Sequence, residues 1–324
     1  MKRKVSIACA AALLLLSAGA QAAEKVRFGL SWVAEAEHCG FFQAKAAGLY
    51  EKAGLDVEIV NGGPDRNLPL QIGAGDLQLA MGSSFTTLHM LQNGVPAVTV
   101  AAFFQKDPQT LVAHPGQGVA KLQDLKGKPI MVAKFSQQEY WQFLKRRYGF
   151  TDDQLRPYTY SAAPFLVNPQ AVQQGYITED AMLLGKAMPK PPVSILLADY
   201  GYSNYQDTVF GTRAYVESHP QVVQAFVDAT REGWKQCLGG DYSPALKGVL
   251  AMNPEHGEPL FHFKMKQIRD RGLVDSGDAK TLGLGAMTDA RWKDFFEVMS
   301  ASGVYPAALD YRNAYTLKFV GPRP

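Results

Sequence analysis

The chain has 324 residues, 47% of them hydrophobic, with 33 basic and 30 acidic side chains. That length supplies one large or two medium domains with real cores. A formal net charge of only +3 gives no general attraction for nucleic acid or an anionic membrane surface and excludes binding driven by bulk charge.

The opening stretch reads as an export signal. Lys2, Arg3 and Lys4 precede an apolar run over residues 7–18, and Ala20-Gln21-Ala22 is a small-x-small cleavage site. Residues 1–22 are expected to leave as a secretory signal peptide, which places the mature chain in the periplasm. The run is too short to span a bilayer of about 30 Å as a stable helix. The three basic residues leave with it, so the mature chain carries 30 basic and 30 acidic side chains. Cys39 and Cys237 remain. An oxidising compartment permits a disulfide, but their wide separation does not require one, and two buried free thiols are the favoured expectation. The chain has no Cys-x-x-Cys pair and no Cys/His cluster with zinc spacing. Neither a metal nor a cofactor is expected.

The mature chain then alternates between periods of two and of 3.6 residues. Val26, Phe28 and Leu30 alternate with Arg27, Gly29 and Ser31, as a strand does. A helix is expected over 37–53, ending at Gly54. Residues 55–60 alternate again. Gly62-Gly63-Pro64-Asp65 reads as a turn in which Asp65 caps a short helix reaching Gly73. Residues 77–81 read as a short buried strand. Ser83 or Ser84 caps a helix ending at Asn93-Gly94, and residues 97–104 form a long apolar strand.

A second unit follows. Strands are expected over 110–113, 129–132, 158–161 and 193–198. Helices are expected over 137–148 and 168–175. The last third is helical, over 220–238, 243–251, 258–273 and 289–299, with a loop-like tail from Tyr305. Strand–helix alternation of this kind predicts α/β lobes with parallel or mixed sheets. Crossings between two lobes fall near 104–108 and 200–205. Ligands of such sheets sit beyond the carboxyl ends of the strands.

That rule selects the candidate binding residues. Trp32 ends the first strand and can stack on a flat ligand, with His38 and helix amides supplying hydrogen bonds and Phe41 close behind. A core Trp and a core or capping His fit the same segment. Asp65 lies in the Gly-Gly-Pro turn. Ser83 and Ser84 offer hydroxyls and amides at a helix start, although ordinary capping accounts for them as well. Phe103 and Gln105 stand at the first crossing, and Tyr200 at the second. Gln138 and Tyr140 open a second-lobe helix. Tyr176 can stack, and Glu179 or Asp180 can accept from an exocyclic amine or ring N–H. The six histidines form no readable arrangement of nucleophile, base and orienting group, so no catalytic residue is assigned and the chain is not expected to be an enzyme.

One set of motifs goes further: Trp32-x5-His38-x-Gly40-Phe41, then Gly48-Leu49-Tyr50, Gly54-Leu55-Asp56-Val57 and Gly62-Gly63-Pro64. With Val172-Gln173-Gln174-Gly175-Tyr176 and Leu197-Ala198-Asp199-Tyr200-Gly201-Tyr202, it resembles the solute-binding proteins of nitrate/sulfonate/taurine-type ABC importers, in the branch related to the thiamine-pyrimidine synthase fold. The resemblance covers residues 26–225. It implies a type II periplasmic-binding fold, with two α/β lobes joined by two crossing strands and helices at the C-terminal end. On that basis residues 23–105 and 203–324 form one lobe and 106–202 the other. It further implies hinge closure on a small ligand, an importer permease as partner, no nucleic-acid partner, and a monomer. Thiamine pyrimidine precursors such as hydroxymethylpyrimidine or formylaminopyrimidine are the implied ligands. Riboflavin, or an alkylsulfonate or nitrate-type anion, is the alternative. An enzyme of pyrimidine synthesis on the same fold is the alternative of another class. In the family, Trp32 and second-lobe aromatics would sandwich a ring while Gly82-Ser83 amides and the Glu179 region read its polar edges. The chain departs from the pattern in two ways. Ala34 and Glu35 stand where thiamine-precursor binders carry Pro and Asn, and the cysteine-rich iron motif of the synthases is missing.

Overall fold

A computed structural model of the chain describes residues 22–63 and 65–321. The expected signal segment, apart from its last residue, and Pro64 lie outside the described residues. Ten strands make two sheets: β1 Glu24–Gly29, β2 Leu55–Val60, β3 Leu79–Ser83, β4 Ala97–Phe104, β5 Gln109–Ala113, β6 Ile130–Val132, β7 Leu155–Pro157, β8 Val172–Tyr176, β9 Val193–Leu196 and β10 Gln206–Thr212. The first sheet runs β2-β1-β3-β10-β4 and the second β7-β6-β8-β5-β9. In each sheet one strand runs against both neighbours. These are β10 in the first and β5 in the second, the strands that the chain enters after crossing between the sheets.

The strands follow their side-chain patterns. In β1, Val26 and Phe28 are buried, while Arg27 points outward to bond Glu58 on β2 at 2.9 Å. Every residue of β4 is buried, which is why it reads as a continuous apolar run rather than an alternation. Helices cover both sheets. The long helix Pro220–Gly239 lies over the first sheet, with the Phe226 ring 5.0 Å from that of Phe28. Its approach to the helix Cys39–Ala46 depends on two glycines. A Cβ on Gly40 would sit 2.2 Å from the Trp234 ring, and one on Gly233 would sit 2.2 Å from the Gly40 carbonyl oxygen. This closeness corrects one expectation. Cys39 and Cys237 are not free thiols: their Cα atoms are 6.3 Å apart, within bridging range, and they form a disulfide. No helix among the described residues is long and apolar enough to cross a membrane.

The chain passes between the sheets from β4 to β5 and from β9 to β10. Arg291, on the helix Asp289–Ala301, braces both passages. Its guanidinium donates to the carbonyls of Gln105 (2.5 Å), Ser203 (2.9 Å) and Asn204 (3.1 Å), and lies 4.1 Å over the Tyr205 ring. Asn204 in turn donates to Asp107 at 2.7 Å.

Four local expectations are corrected. The helix over 137–148 is two helices, Lys134–Gln138 and Tyr140–Tyr148, broken at Glu139 with φ −102 and ψ −110. Residues 158–161 are not a strand, because pairing with β6 ends at Pro157. The segment 168–175 is not helical: from Val172 it becomes β8, paired on both sides by β5 and β6. Asn67, not Asp65, caps the helix Leu68–Gly73, its side chain accepting from the Leu70 amide at 3.1 Å.

Candidate functional site

Three segments meet between the two lobes. The turn after β1, including Ala36–His38, brings Glu35 and Glu37. The loop after β8 brings Thr178 and Glu179. The helix Glu258–Asp270 brings Lys264, because Lys264 lies on the face that also buries Phe261, Met265 and Ile268. The Lys264 ammonium is 2.7 Å from Glu35, 2.7 Å from Glu179 and 3.2 Å from Glu37, and is almost fully buried. Thr178 donates to Glu37 at 2.5 Å, a second link between the lobes.

One ammonium cannot neutralise three carboxylates, and the protonation states reflect this. Burial, helped by the neighbouring Glu37 charge, pushes Glu35 up to about 8. Burial also opposes ionisation of Glu37, but Lys264 and the Thr178 bond hold it below the ordinary glutamate value. Burial alone would lower Lys264, yet the carboxylates of Glu35, Glu37 and Glu179 hold its ammonium well above the usual lysine range. His38 accepts from the Glu35 amide through Nδ1 at 3.2 Å, and burial holds it down to about 3, so it is neutral at physiological pH.

More acids stand close by. Asp207, on β10, is 4% exposed and adopts φ +49, a left-handed conformation uncommon outside glycine. Its Oδ2 has no hydrogen-bond partner, and neither has Oε2 of Glu37. Burial first, and then the charges of Glu37, Glu35 and Asp107, keep Asp207 well above the usual aspartate value. Glu139 is pushed up to about 8 by burial and the Asp107 charge. The half-buried Tyr176 lies among these groups. Burial and then the charges of Asp107, Asp207, Glu35 and Glu139 raise its hydroxyl well above the usual tyrosine range.

Rings of the two lobes also meet. Trp32 of the first lobe lies 5.8 Å from Tyr160 of the second, tilted by 35°. Tyr158 lies 5.4 Å behind Tyr160. Tyr160 is 60% exposed and also left-handed, at φ +61. At a second place Phe135 of the second lobe meets Phe85 of the first edge-on at 5.6 Å.

Of the residues picked from the sequence, Tyr176 and Glu179 lie among these charged groups, Trp32 meets Tyr160, and His38 lies directly behind Glu35. The others lie elsewhere. Phe41 packs in the first-lobe core against Phe28, Phe103 and Phe226, and Phe103 is buried with it. Tyr140 is buried in the second-lobe core beside Tyr202. Ser83 caps the helix Ser84–Gln92, and the Ser84 hydroxyl accepts from the Tyr205 amide at 3.2 Å. Gln105 is buried and donates to the carbonyls of Ala102 and Ala286, bracing a crossing. Tyr200 packs edge-on to Tyr148, and Asp65 and Gln138 are exposed.

The sequence reading did not select Glu35, Glu37, Tyr160, Asp207 or Lys264 as site residues. Only Lys264 carried a legible sign, as a lone charge inside the apolar stripe of Phe261, Met265 and Ile268.

The NMT1/THI5-like family profile matches residues 35–240. The riboflavin-binding protein RibY of Chloroflexus aurantiacus is 24% identical over 310 residues, covering 92% of this chain and 86% of its own. The 4-amino-5-hydroxymethyl-2-methylpyrimidine phosphate synthase of Schizosaccharomyces pombe is 24% identical over 227 residues, 63% of each chain. Among solved structures, the periplasmic aliphatic sulphonate-binding protein SsuA of Escherichia coli superposes with a TM-score of 0.68 at 12% identity, covering 90% of this chain and 91% of its own. That likeness establishes the two-lobed periplasmic-binding fold.

Proposed function

The chain belongs to the NMT1/THI5-like family and has the fold of periplasmic solute-binding proteins, and from that premise we propose that it captures a small heteroaromatic molecule in the periplasm and delivers it to the permease of an ABC importer. Residues 23–105 and 203–324 move as one lobe and 106–202 as the other. Trp32 and Tyr160 grip the ring from opposite lobes, while Tyr176 and Glu179 meet its polar edge. The observation that carries this reading is the Trp32–Tyr160 pair, two rings from different lobes that touch at 5.8 Å and part to admit a third between them. A ligand favours the closed form only by touching both lobes, and this pair lets a planar guest do so.

A thiamine pyrimidine precursor fits the polar interior. Its exocyclic amine donates, and Glu35, Glu37 and Glu179 are acceptors. A sulfonate or nitrate fits poorly, since it would face a surplus of carboxylates. The helix start at Ser83-Ser84, the other candidate anion site, has its amides taken. Ser83 N donates to Thr86 Oγ1, Ser84 N to the Tyr205 carbonyl, Phe85 N to Asn204 and Thr86 N to Ser83 Oγ. Riboflavin is the second reading, favoured by the similarity to RibY along nearly the whole chain. No catalytic role is proposed, and the two mature cysteines are joined to each other rather than free to ligate iron.

Ring stacking with two or three hydrogen bonds supports micromolar affinity, about −8 kcal/mol. Thermal-shift titration with hydroxymethylpyrimidine, formylaminopyrimidine, riboflavin, taurine and nitrate tests the reading. A pyrimidine is expected to raise the melting temperature of the wild type, with Trp32→Ala and Tyr160→Ala each abolishing the shift. A shift with taurine or nitrate and none with any pyrimidine or flavin would sink the ligand assignment.

A further inference from the structure

The space between the lobes contains more acceptors than its own donors satisfy. Lys264 engages one oxygen each of Glu35, Glu37 and Glu179. Thr178 supplies a second donor to the Glu37 oxygen that faces Lys264. Two buried carboxylate oxygens remain: Oε2 of Glu37 on the first-lobe turn and Oδ2 of Asp207 on β10. Glu37 is 2% exposed and Asp207 4%, so water does not freely compensate either one. Of the charged groups that act on Asp207, Glu37 acts most strongly, so the two carboxyl groups share one electrostatic environment. An unpaired buried carboxylate oxygen is destabilising, more so when it is charged. Two of them in one place call for a donor from outside the chain.

We propose that the receptor selects a planar aromatic cation, an amidinium-like group whose positive charge is shared over N–H donors that meet Glu37 and Asp207 while the ring lies between Trp32 and Tyr160. A protonated 4-aminopyrimidine has this chemistry. This deepens the receptor reading above and rests on it. Among the described residues Lys264 is the one ammonium facing Glu35, Glu37, Glu179 and Asp207; burial and mutual repulsion keep Glu35 and Asp207 from ionising, and both nearby imidazoles are held neutral. Burial lowers His256 to about 4 and His38 to about 3. A neutral ring would leave Glu35 and Asp207 protonated, whereas a cation lets them ionise against it.

The test separates charge from ligand identity. Benzamidinium and benzamide have nearly the same shape and differ in charge, and their binding to the intact mature protein is measured near neutral pH by calorimetry. Benzamidinium is expected to bind at least about tenfold more tightly, about 1.4 kcal/mol. Asp207→Asn and Glu37→Gln are each expected to weaken benzamidinium several-fold more than benzamide and so to remove most of that preference. The same comparison is made with 4-amino-5-hydroxymethyl-2-methylpyrimidine and its 4-oxo counterpart, where the ultraviolet spectrum of the bound amino compound should be that of its protonated form. Benzamide binding as tightly as benzamidinium, or neither binding, overturns the proposal. If a variant fails to fold, the wild-type comparison alone still decides. Benzamidinium binding selectively while both pyrimidines fail would sustain the charge preference and sink the pyrimidine reading.

Discussion

The Lys264 ammonium stands 2.7 Å from the Glu179 carboxylate and joins a helix packed on the first lobe to a loop of the second. If the lobes part as proposed, the bond is a latch as well as a charge pair, since it then forms only when they are together. Glu179 is about one-third exposed, so opening the cleft returns its carboxylate to water at little cost. Glu35 and Glu37 stay with the first lobe and keep Lys264 company in either state.

Removing that cation should therefore damage more than closure. Lys264→Met leaves Glu35 and Glu37 buried without a counter-charge, and the loss is expected to be about 3–5 kcal/mol at neutral pH. Adding Glu35→Gln should restore part of it. Acid should also help, because the orphaned carboxylates then take up protons. Urea unfolding of the single and double variants at two pH values measures this. An unchanged midpoint for Lys264→Met at neutral pH would contradict the network. Glu179→Gln should behave differently, with nearly wild-type stability but a larger ligand-free radius of gyration by small-angle scattering.

The disulfide acts within one lobe. Cys39 opens the helix Cys39–Ala46 and Cys237 lies near the end of Pro220–Gly239, 198 positions further along the sequence. Both helices cover the first sheet, so the bridge does not span the hinge. Replacing both cysteines with serine is expected to lower stability by about 2–5 kcal/mol and to leave ligand affinity within about twofold, or about 0.4 kcal/mol. Denaturant unfolding and a binding titration on the same preparation check both halves of the expectation.

Buried acids set the pH dependence. Glu139 is raised to about 8 and Asp180 to about 7, in both cases chiefly by burial. Unfolding returns them to ordinary values of 4.5 and 3.8. Between those limits the folded chain binds more protons than the unfolded one, so stability falls as pH rises. The melting temperature is expected to be highest near pH 5 and to decline toward pH 8. Glu139→Gln has no proton to lose and should flatten the decline, by roughly a few kcal/mol at the alkaline end. A melting temperature that rises from pH 5 to pH 8 would contradict the assignment.

Local pattern made much of this fold legible before any coordinates. The all-apolar run of β4 and the four long helices of the last third follow their side-chain periods closely. Segments whose structure depends on distant partners were harder to read. In β8, Gln173 and Gln174 break the apolar alternation, yet both are buried. The Gln174 side chain accepts from the Ala133 amide at 2.6 Å, a bond across 41 residues that no window of sequence displays. β10 begins irregularly at Asp207, where its register against β3 shifts, and shifts again against β4 between Val209 and Phe210; it gains its partners only after the chain returns from the other lobe. The site divides in the same way. Trp32 and Glu179 follow from their places at strand ends, whereas Lys264 reaches the cleft from 85 residues beyond Glu179 in sequence. Tyr160 was hidden inside an expected strand, and its left-handed backbone turns the ring to meet Trp32.

The glycine contact under Trp234 gives the sharpest packing test. A methyl group at Gly40 would lie 2.2 Å from the Trp234 ring, and that ring is fully buried and cannot swing aside. The two helices must separate, and the Cys39–Cys237 bridge beside the contact resists the separation. Gly40→Ala is therefore expected to cost about 1–3 kcal/mol, in the range of overpacked cores. Gly73 is the control. It ends the helix Leu68–Gly73 without positive φ, and a methyl group there meets nothing within 4 Å. Gly73→Ala should instead gain about 0.4–1 kcal/mol, because alanine has less freedom to lose from the unfolded chain. Chemical unfolding of the pair decides the matter: equal effects of the same sign would mean that the helices are not in contact at Gly40.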